Sequence, residues 1–162
     1  MQMDKRTVES ILRQVMDPEI PVLSVVDMGV VRNIELADNT CTITITPTYS
    51  GCPAMNTIEH DIYSSLENAG LKNITINTVL SPAWTTDWMT PTGRKRLEEY
   101  GIAPPAEATT DKRSIFLEDV TVHCPKCKSE NTKLVSEFGS TACKAMYKCK
   151  ECLEPFDYFK CI

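Results

Sequence analysis

Along the first hundred residues the apolar positions change their spacing from segment to segment, and each spacing predicts an element. In "DKRTVESILRQVMDPEIP" Val8, Ile11, Leu12, Val15 and Met16 recur at helical intervals. Asp4 or Thr7 can cap the start of this helix, and Pro18 marks its end. "DPEIP" then forces an extended, turning segment, since each proline disfavours a helical residue before it. The alternating stretches "VVRNIELA" and "TCTITIT", joined at Asp38-Asn39, predict a β-hairpin with Cys41, Ile43 and Ile45 on one face. A second helix is expected over 53–69, with Met55, Ile58, Ile62, Leu66 and Ala69 as its buried stripe and Gly70 at its exit. "NITINTV" reads as a third strand, and a short last helix runs from Thr90-Pro91 to Gly101. The order α-β-β-α-β-α defines an α+β class: a small sheet of three strands or more, with helices.

"GIAPPAEATTDKRS" breaks the pattern with glycine, adjacent prolines and charge, which is the composition of a linker. It divides the chain into an α+β domain over 1–103, a linker over 104–118 and a β module over 119–162. The last piece is too short to bury enough apolar surface to fold unaided, so it needs a staple.

Composition narrows the class. Of 162 residues, 42% are hydrophobic and 24% charged, as in a soluble globular protein. No apolar run approaches the roughly 20 residues that cross a bilayer. The N-terminus is acidic and polar where a signal peptide would need an apolar core, so the expected location is cytoplasmic, with no membrane partner. The net charge of −5 is uneven. From residue 119 on there are seven lysines against six acids, leaving ten basic and sixteen acidic side chains before it. Neither part has the positive field that a phosphate backbone requires, which argues against nucleic acid as a partner.

In a reducing compartment, clustered cysteines bind metal or do chemistry more often than they form disulfides. The chain has eight cysteines, six of them after residue 123. "HCPKCKS" and "YKCKECLE" present Cys124-x-x-Cys127 and Cys149-x-x-Cys152, the spacing of a zinc ribbon. Two such pairs complete a tetrahedral sulfur shell, and a closed shell is structural rather than catalytic. Iron held by the same four sulfurs is the alternative metal. Cys143 and Cys161 are left over: each is either a buried small hydrophobe or an additional ligand. His123 adjoins a full shell and reads as a strand residue.

In "TCTITITPTYSGCPAM" a strand runs into a Gly-Cys-Pro turn and then a helix, so Cys52 is expected at or near the helix N-cap. Amide donors and the positive end of the dipole converge there and favour a thiolate. Gly51 permits a tight approach, and Pro53 suits the first helical position. A small residue at a crowded turn is an equally good reading of Cys52. Asp17, Glu19 and Asp27 lie in turns, as ligands, acid–base groups or turn caps. Thr48, Ser50 and Asn56 can line the same concavity, while His60 falls on the outside of the second helix. Trp84 and Trp88 form a docking surface, a lid or packing.

"DPEIPVLSVVDMGVVR", "TPTYSGCPAM" and "SPAWTTDWMTPTGRKRLEEYGIAPP" resemble the small iron–sulfur assembly factors that include SufT. With the ribbon ending "FGSTACKAMYKCKECLEPFDYFKCI", the whole chain resembles the PaaD (PaaJ) family, the accessory subunits of bacterial multicomponent phenylacetyl-CoA epoxidases. Met28 is a departure, standing where many relatives have leucine. The resemblance implies a pocket built from Asp17, Pro18, Glu19, Asp27, Gly29, Gly51, Cys52 and Pro53, with Cys52 handling a transient iron–sulfur cluster. It also implies zinc in the ribbon. The implied role is maturation, assisting assembly or insertion of the cluster in the epoxidase's iron–sulfur flavin reductase.

The residues agree with a helper role. The chain lacks the Glu-x-x-His pairs of a di-iron carboxylate site and a glycine-rich dinucleotide fingerprint, so it is expected to be neither oxygenase nor reductase. One cysteine cannot hold a cluster bound by four thiolates, so cluster binding requires a homodimer, a small thiol or the client's own ligands. The competing readings are a thioester enzyme with Cys52 as nucleophile, for which base candidates are poor, and a ribbon that serves only as a protein-binding module.

Overall fold

The computed structural model describes residues 3–38, 40–105 and 121–159. The chain divides into two compact units: residues 1–84 with 88–93, and residues 85–87 with 94–162.

The first unit is built on helix α1 (Lys5–Leu12), where the Asp4 carboxylate accepts hydrogen bonds from the Thr7 amide at 2.8 Å and the Thr7 hydroxyl at 2.6 Å. Strands β1 (Val31–Ala37) and β2 (Thr40–Ile45) form the antiparallel hairpin. Helix α2 (Met55–Asn68) then carries the chain back, so that β3 (Asn73–Thr78) lies parallel to β2, as such a connection requires a crossover. The strand order is β1-β2-β3. Cys41, Ile43 and Ile45 are fully buried on one face of β2, while Thr40, Thr42 and Thr44 on the other are half-buried. The core is completed by Val8, Leu12 and Val15, and by Ile58, Ile62 and Leu66 of α2. Met16 and Ala69, placed on buried stripes by helical spacing, are exposed. The α1 ladder stops at Leu12 and the chain tightens into shorter turn bonds, Gln14 to Ile11 and Val15 to Leu12, which rotates Met16 outward.

Segment 13–30 is held by backbone turns rather than by regular structure. The Asp17 carboxylate accepts from the amides of Glu19 and Ile20, both at 2.8 Å, which fixes the DPE turn. Gly29 adopts φ +78°, and a side-chain carbon there would meet the Trp88 carbonyl at 2.5 Å. Trp84 is buried and donates its indole N–H to the Met28 carbonyl at 3.0 Å. Arg32 lies over the Trp88 ring, 3.6 Å from its centre. Both tryptophans therefore pack against the turn that leads into β1.

Helix α3 (Pro91–Tyr100) begins in the first unit and ends in the second. Gly101, at φ +96°, turns the chain into β4 (Ile102–Ala103). The second unit continues with β5 (Thr132–Ser136), β6 (Lys144–Cys149) and β7 (Pro155–Phe159), in the order β4-β7-β6-β5. Ile102 and Ala103, which the sequence places at the end of the first domain, instead pair in parallel with Asp157 and Tyr158. Both side chains are buried. Of the linker, 106–118 lies outside the described residues, as does Cys161.

Candidate functional site

The four ribbon cysteines lie on two knuckles with the same backbone. In each, the first cysteine's amide donates to the carbonyl five residues on, Cys124 to Ser129 and Cys149 to Glu154, both at 2.9 Å. In each, the residue after the second cysteine turns left-handed, Lys128 at φ +64° and Leu153 at φ +62°. A salt bridge from Lys126 to Glu154 at 3.0 Å joins one knuckle to the other. All four sulfurs lie within 4.8 Å of one another. The closest pairs are Cys124–Cys152 at 3.7 Å and Cys127–Cys149 at 3.5 Å. Zinc–sulfur bonds of about 2.3 Å give a tetrahedron with edges of about 3.8 Å, so this shell fits a zinc ion.

The electrostatics of the sulfurs also call for a cation. The Cys152 amide, opposed by loss of water and aided by the Glu151 amide and the Cys127 and Cys152 thiols, lowers Cys149 to about 7. At Cys152 the Glu154 amide favours the thiolate, but desolvation and the three neighbouring thiols outweigh it and push the group up to about 12. Crowded thiols resist ionising together until a metal compensates their charge. Behind them, Cys124 and Cys149 join Val122, Ala145, Tyr147, Phe156 and Tyr158 in one small core, so the centre also closes the fold. Cys143 is buried and within 3.0 Å of the Thr141 hydroxyl, outside the four-sulfur group. His123 is exposed and contacts Glu130 at 3.0 Å.

Cys52 occupies the loop between β2 and α2, at the carboxyl end of the sheet's central strand, where parallel β-α-β units place their ligands. Its amide donates to the Tyr49 carbonyl at 3.4 Å, and its own carbonyl accepts from the Met55 amide at 3.2 Å. These two successive turns use up residues 49–54, so α2 starts at Met55 with Ala54 as its cap and no capping side chain. The helix expected from Pro53 therefore begins two residues later, and Cys52, expected at or near its cap, lies two residues before the cap residue Ala54. Cys52 as a residue is half-buried. Gly51, at φ +78°, has no atom within 4 Å of where a side-chain carbon would stand, so the space above the cysteine's neighbour is open.

Of the remaining candidates, the turn of Asp27 and Gly29 lies at this end. Val30 directly precedes β1 and its carbonyl accepts the Thr46 amide at 2.9 Å, so the turn of Asp27 and Gly29 leaves the sheet at the same end as the Cys52 loop. Asp27 is buried and accepts from the Arg13 guanidinium at 3.0 Å and the Thr90 hydroxyl at 2.9 Å. Asp17 is buried at its own turn, and Glu19 and Thr48 are half-buried. Asp17 thus holds its own turn, and Asp27 ties Arg13 and Thr90 to the turn before β1. Thr46, which sequence reasoning missed, is buried with a hydroxyl that has no partner among the described residues. The only signal for it was its place at the end of the alternating threonines of β2. A cavity of about 650 Å3 lies at the opposite end of the sheet, lined by Leu36, Ala37, Thr40, Gly70, Leu71 and Asn73, and none of the candidate residues reaches it.

An α+β unit with an available cysteine, joined to a four-cysteine ribbon, defines a two-module class, and comparison with known proteins places both modules. Residues 5–78 match the family "Iron-sulfur cluster assembly protein", and residues 108–160 match "PaaD zinc beta ribbon domain". The chain is 50% identical over 153 residues, 94% of its length and 90% of the relative's, to an Escherichia coli (strain K12) protein, the D component of a "Putative 1,2-phenylacetyl-CoA epoxidase". It is 40% identical over 80 residues, 48% of its length and 75% of the relative's, to an "Fe-S protein maturation auxiliary factor" of Porphyromonas gingivalis. A solved structure of a domain of unknown function, DUF59, from Bacillus anthracis is similar at TM-score 0.55 and 27% identity, over 57% of this chain and 90% of that one. A conserved hypothetical protein of Thermotoga maritima follows at TM-score 0.52 and 28% identity, over 59% and 95%. The chain belongs to the PaaD family, the D components of phenylacetyl-CoA epoxidases.

Proposed function

We propose that this chain is an accessory, maturation subunit of a phenylacetyl-CoA epoxidase, assisting the assembly or insertion of an iron–sulfur cluster in that complex. The cluster is cargo, and Cys52 is the residue that holds it during transfer. The observation that carries this reading is the half-buried residue Cys52 beside open space at Gly51, in a loop at the carboxyl end of the sheet. Its sulfur is not one of the four that fit zinc. The client is the iron–sulfur flavin reductase of the complex, and the place of work is the cytoplasm. Among the described residues no helix is long and apolar enough to cross a membrane.

A single thiolate leaves cluster coordination incomplete. The remaining ligands come from a second copy of the chain, a small thiol or the client. Anaerobic reconstitution with iron and sulfide, comparing the wild-type chain with Cys52→Ser by visible absorbance and by iron, sulfide and zinc content, tests the assignment. Loss of iron and sulfide with retention of zinc supports it. Equal cluster uptake by the two proteins removes Cys52 from the mechanism.

A further inference from the structure

The outward face of the β5–β6 hairpin carries an arrangement that neither the four-sulfur centre nor the core requires. Lys133 and Lys148 stand directly opposite each other across the antiparallel pair, and both are exposed. Like charges in such a position repel. Three other basic side chains of the unit have acids: Lys126 pairs with Glu154, Lys128 with Glu98, and His123 with Glu130, while Lys144 reaches the Ser140 hydroxyl. Among the described residues no carboxylate pairs with Lys133 or Lys148, and Glu137, close by in the chain, has an interaction of its own. Asp157, across the ladder from Met146, has its carboxylate beside Gly139.

Apolar side chains continue the same surface. Met146 and Lys148 share the face of β6 turned away from the buried Ala145, Tyr147 and Cys149. At the next step the register shifts through a bulge after Leu134, leaving Val135 as the additional residue before the Ser136–Met146 pair. Val135 is 56% exposed and Met146 39% exposed. Among the described residues β5 is also the last strand of its sheet.

We propose that this face docks an extended acidic segment of a partner protein, whose carboxylates bridge Lys133 and Lys148 and whose apolar side chains cover Val135 and Met146. The proposal rests on the maturation reading only in supposing that the chain meets a client. Charge complementarity selects the occupant: two unmatched lysines beside aliphatic side chains suit carboxylates interleaved with apolar residues. The near balance of lysines and acids from residue 119 on falls short of the field that a phosphate backbone needs.

The test uses the zinc-loaded full chain and a fluorescent peptide of alternating glutamate and valine, read by anisotropy at low and physiological salt. The wild-type chain binds the peptide with salt-dependent affinity, and Lys133→Gln with Lys148→Gln weakens it roughly tenfold. Lys133→Glu with Lys148→Glu loses it and gains a peptide in which lysine replaces glutamate, with zinc content unchanged in both variants. Amide shifts on titration fall on residues 133–136 and 146–148. Absence of wild-type binding, equal binding by the glutamine variant, or equal binding of an RNA oligonucleotide overturns the proposal. Peptide binding by Cys52→Ser, and cluster uptake by the lysine variants, are both expected at wild-type level. The docking face and the cluster site therefore fail separately.

Discussion

Cys41 sits on the core face of β2 with no exposed surface, and burial pushes its thiol up from the ordinary range. Cys52, a short distance along the chain, is half-buried at a turn. Alkylation of the native, zinc-loaded protein with iodoacetamide, followed by peptide mass spectrometry, is expected to modify Cys52 while Cys41 and Cys143 resist. Faster labelling of Cys41 than of Cys52 contradicts that assignment. The two glycines with φ +78° in the first unit offer a second contrast. Gly29→Ala combines a left-handed backbone with a collision against the Trp88 carbonyl, and is expected to cost about 3 kcal/mol in chemical denaturation. Gly51→Ala meets no neighbour and is expected to cost only about 1 kcal/mol from its backbone conformation. A folded Gly51→Ala chain that loses cluster uptake would place the cargo in the space above residue 51.

At the scale of elements, the two knuckles repeat one hydrogen-bond pattern although their sequences differ, "CPKCK" against "CKECL". Repetition of the geometry, with lysine in one and leucine in the other at the left-handed position, shows that metal spacing sets the backbone and the side chain tolerates it. Leu153 is 64% exposed, so it packs against little. Leu153→Gly is expected to stabilise the metal-bound knuckle by up to about 1 kcal/mol, since glycine has no penalty at positive φ. Competition for zinc with a chromophoric chelator reads this directly. A weaker site in Leu153→Gly would mean that the leucine makes a stabilising contact. The β2-α2-β3 crossover works in a similar way for the first unit. It leaves the Cys52 loop at the carboxyl end of the central strand, over a core face of fully buried Cys41, Ile43 and Ile45.

For the whole molecule, both tryptophans belong to the first unit, while Tyr147 and Tyr158 lie in the ribbon core. The ribbon's core includes two of its own metal ligands, so it depends on the ion. Removal of zinc by a chelator under reducing conditions is expected to abolish the ribbon's near-ultraviolet tyrosine signal and leave tryptophan fluorescence near its native value. Subsequent heating then shows a single transition from the first unit. Collapse of both signals together on chelation would mean that the first unit cannot stand without the ribbon.

The sequence by itself determined most of the elements, because period and punctuation are local. Helix α1 with its Asp4 cap, the hairpin at Asp38, the third strand and the four ribbon ligands all follow from spacing along the chain. It also singled out Cys52, by its place in a Gly-Cys-Pro turn between a strand and a helix. The tertiary structure decided what depends on neighbours distant in sequence. Asp27 became an anchor for Arg13 and Thr90, and Ile102-Ala103 became a strand of the second sheet. The start of α2 moved to Met55 because two turns had to be closed first, and the Thr46 hydroxyl was buried by the fold around it. None of these has a local signal: burial, pairing partner and helix start are fixed by which surfaces meet, and the chain's own periodicity is silent about that.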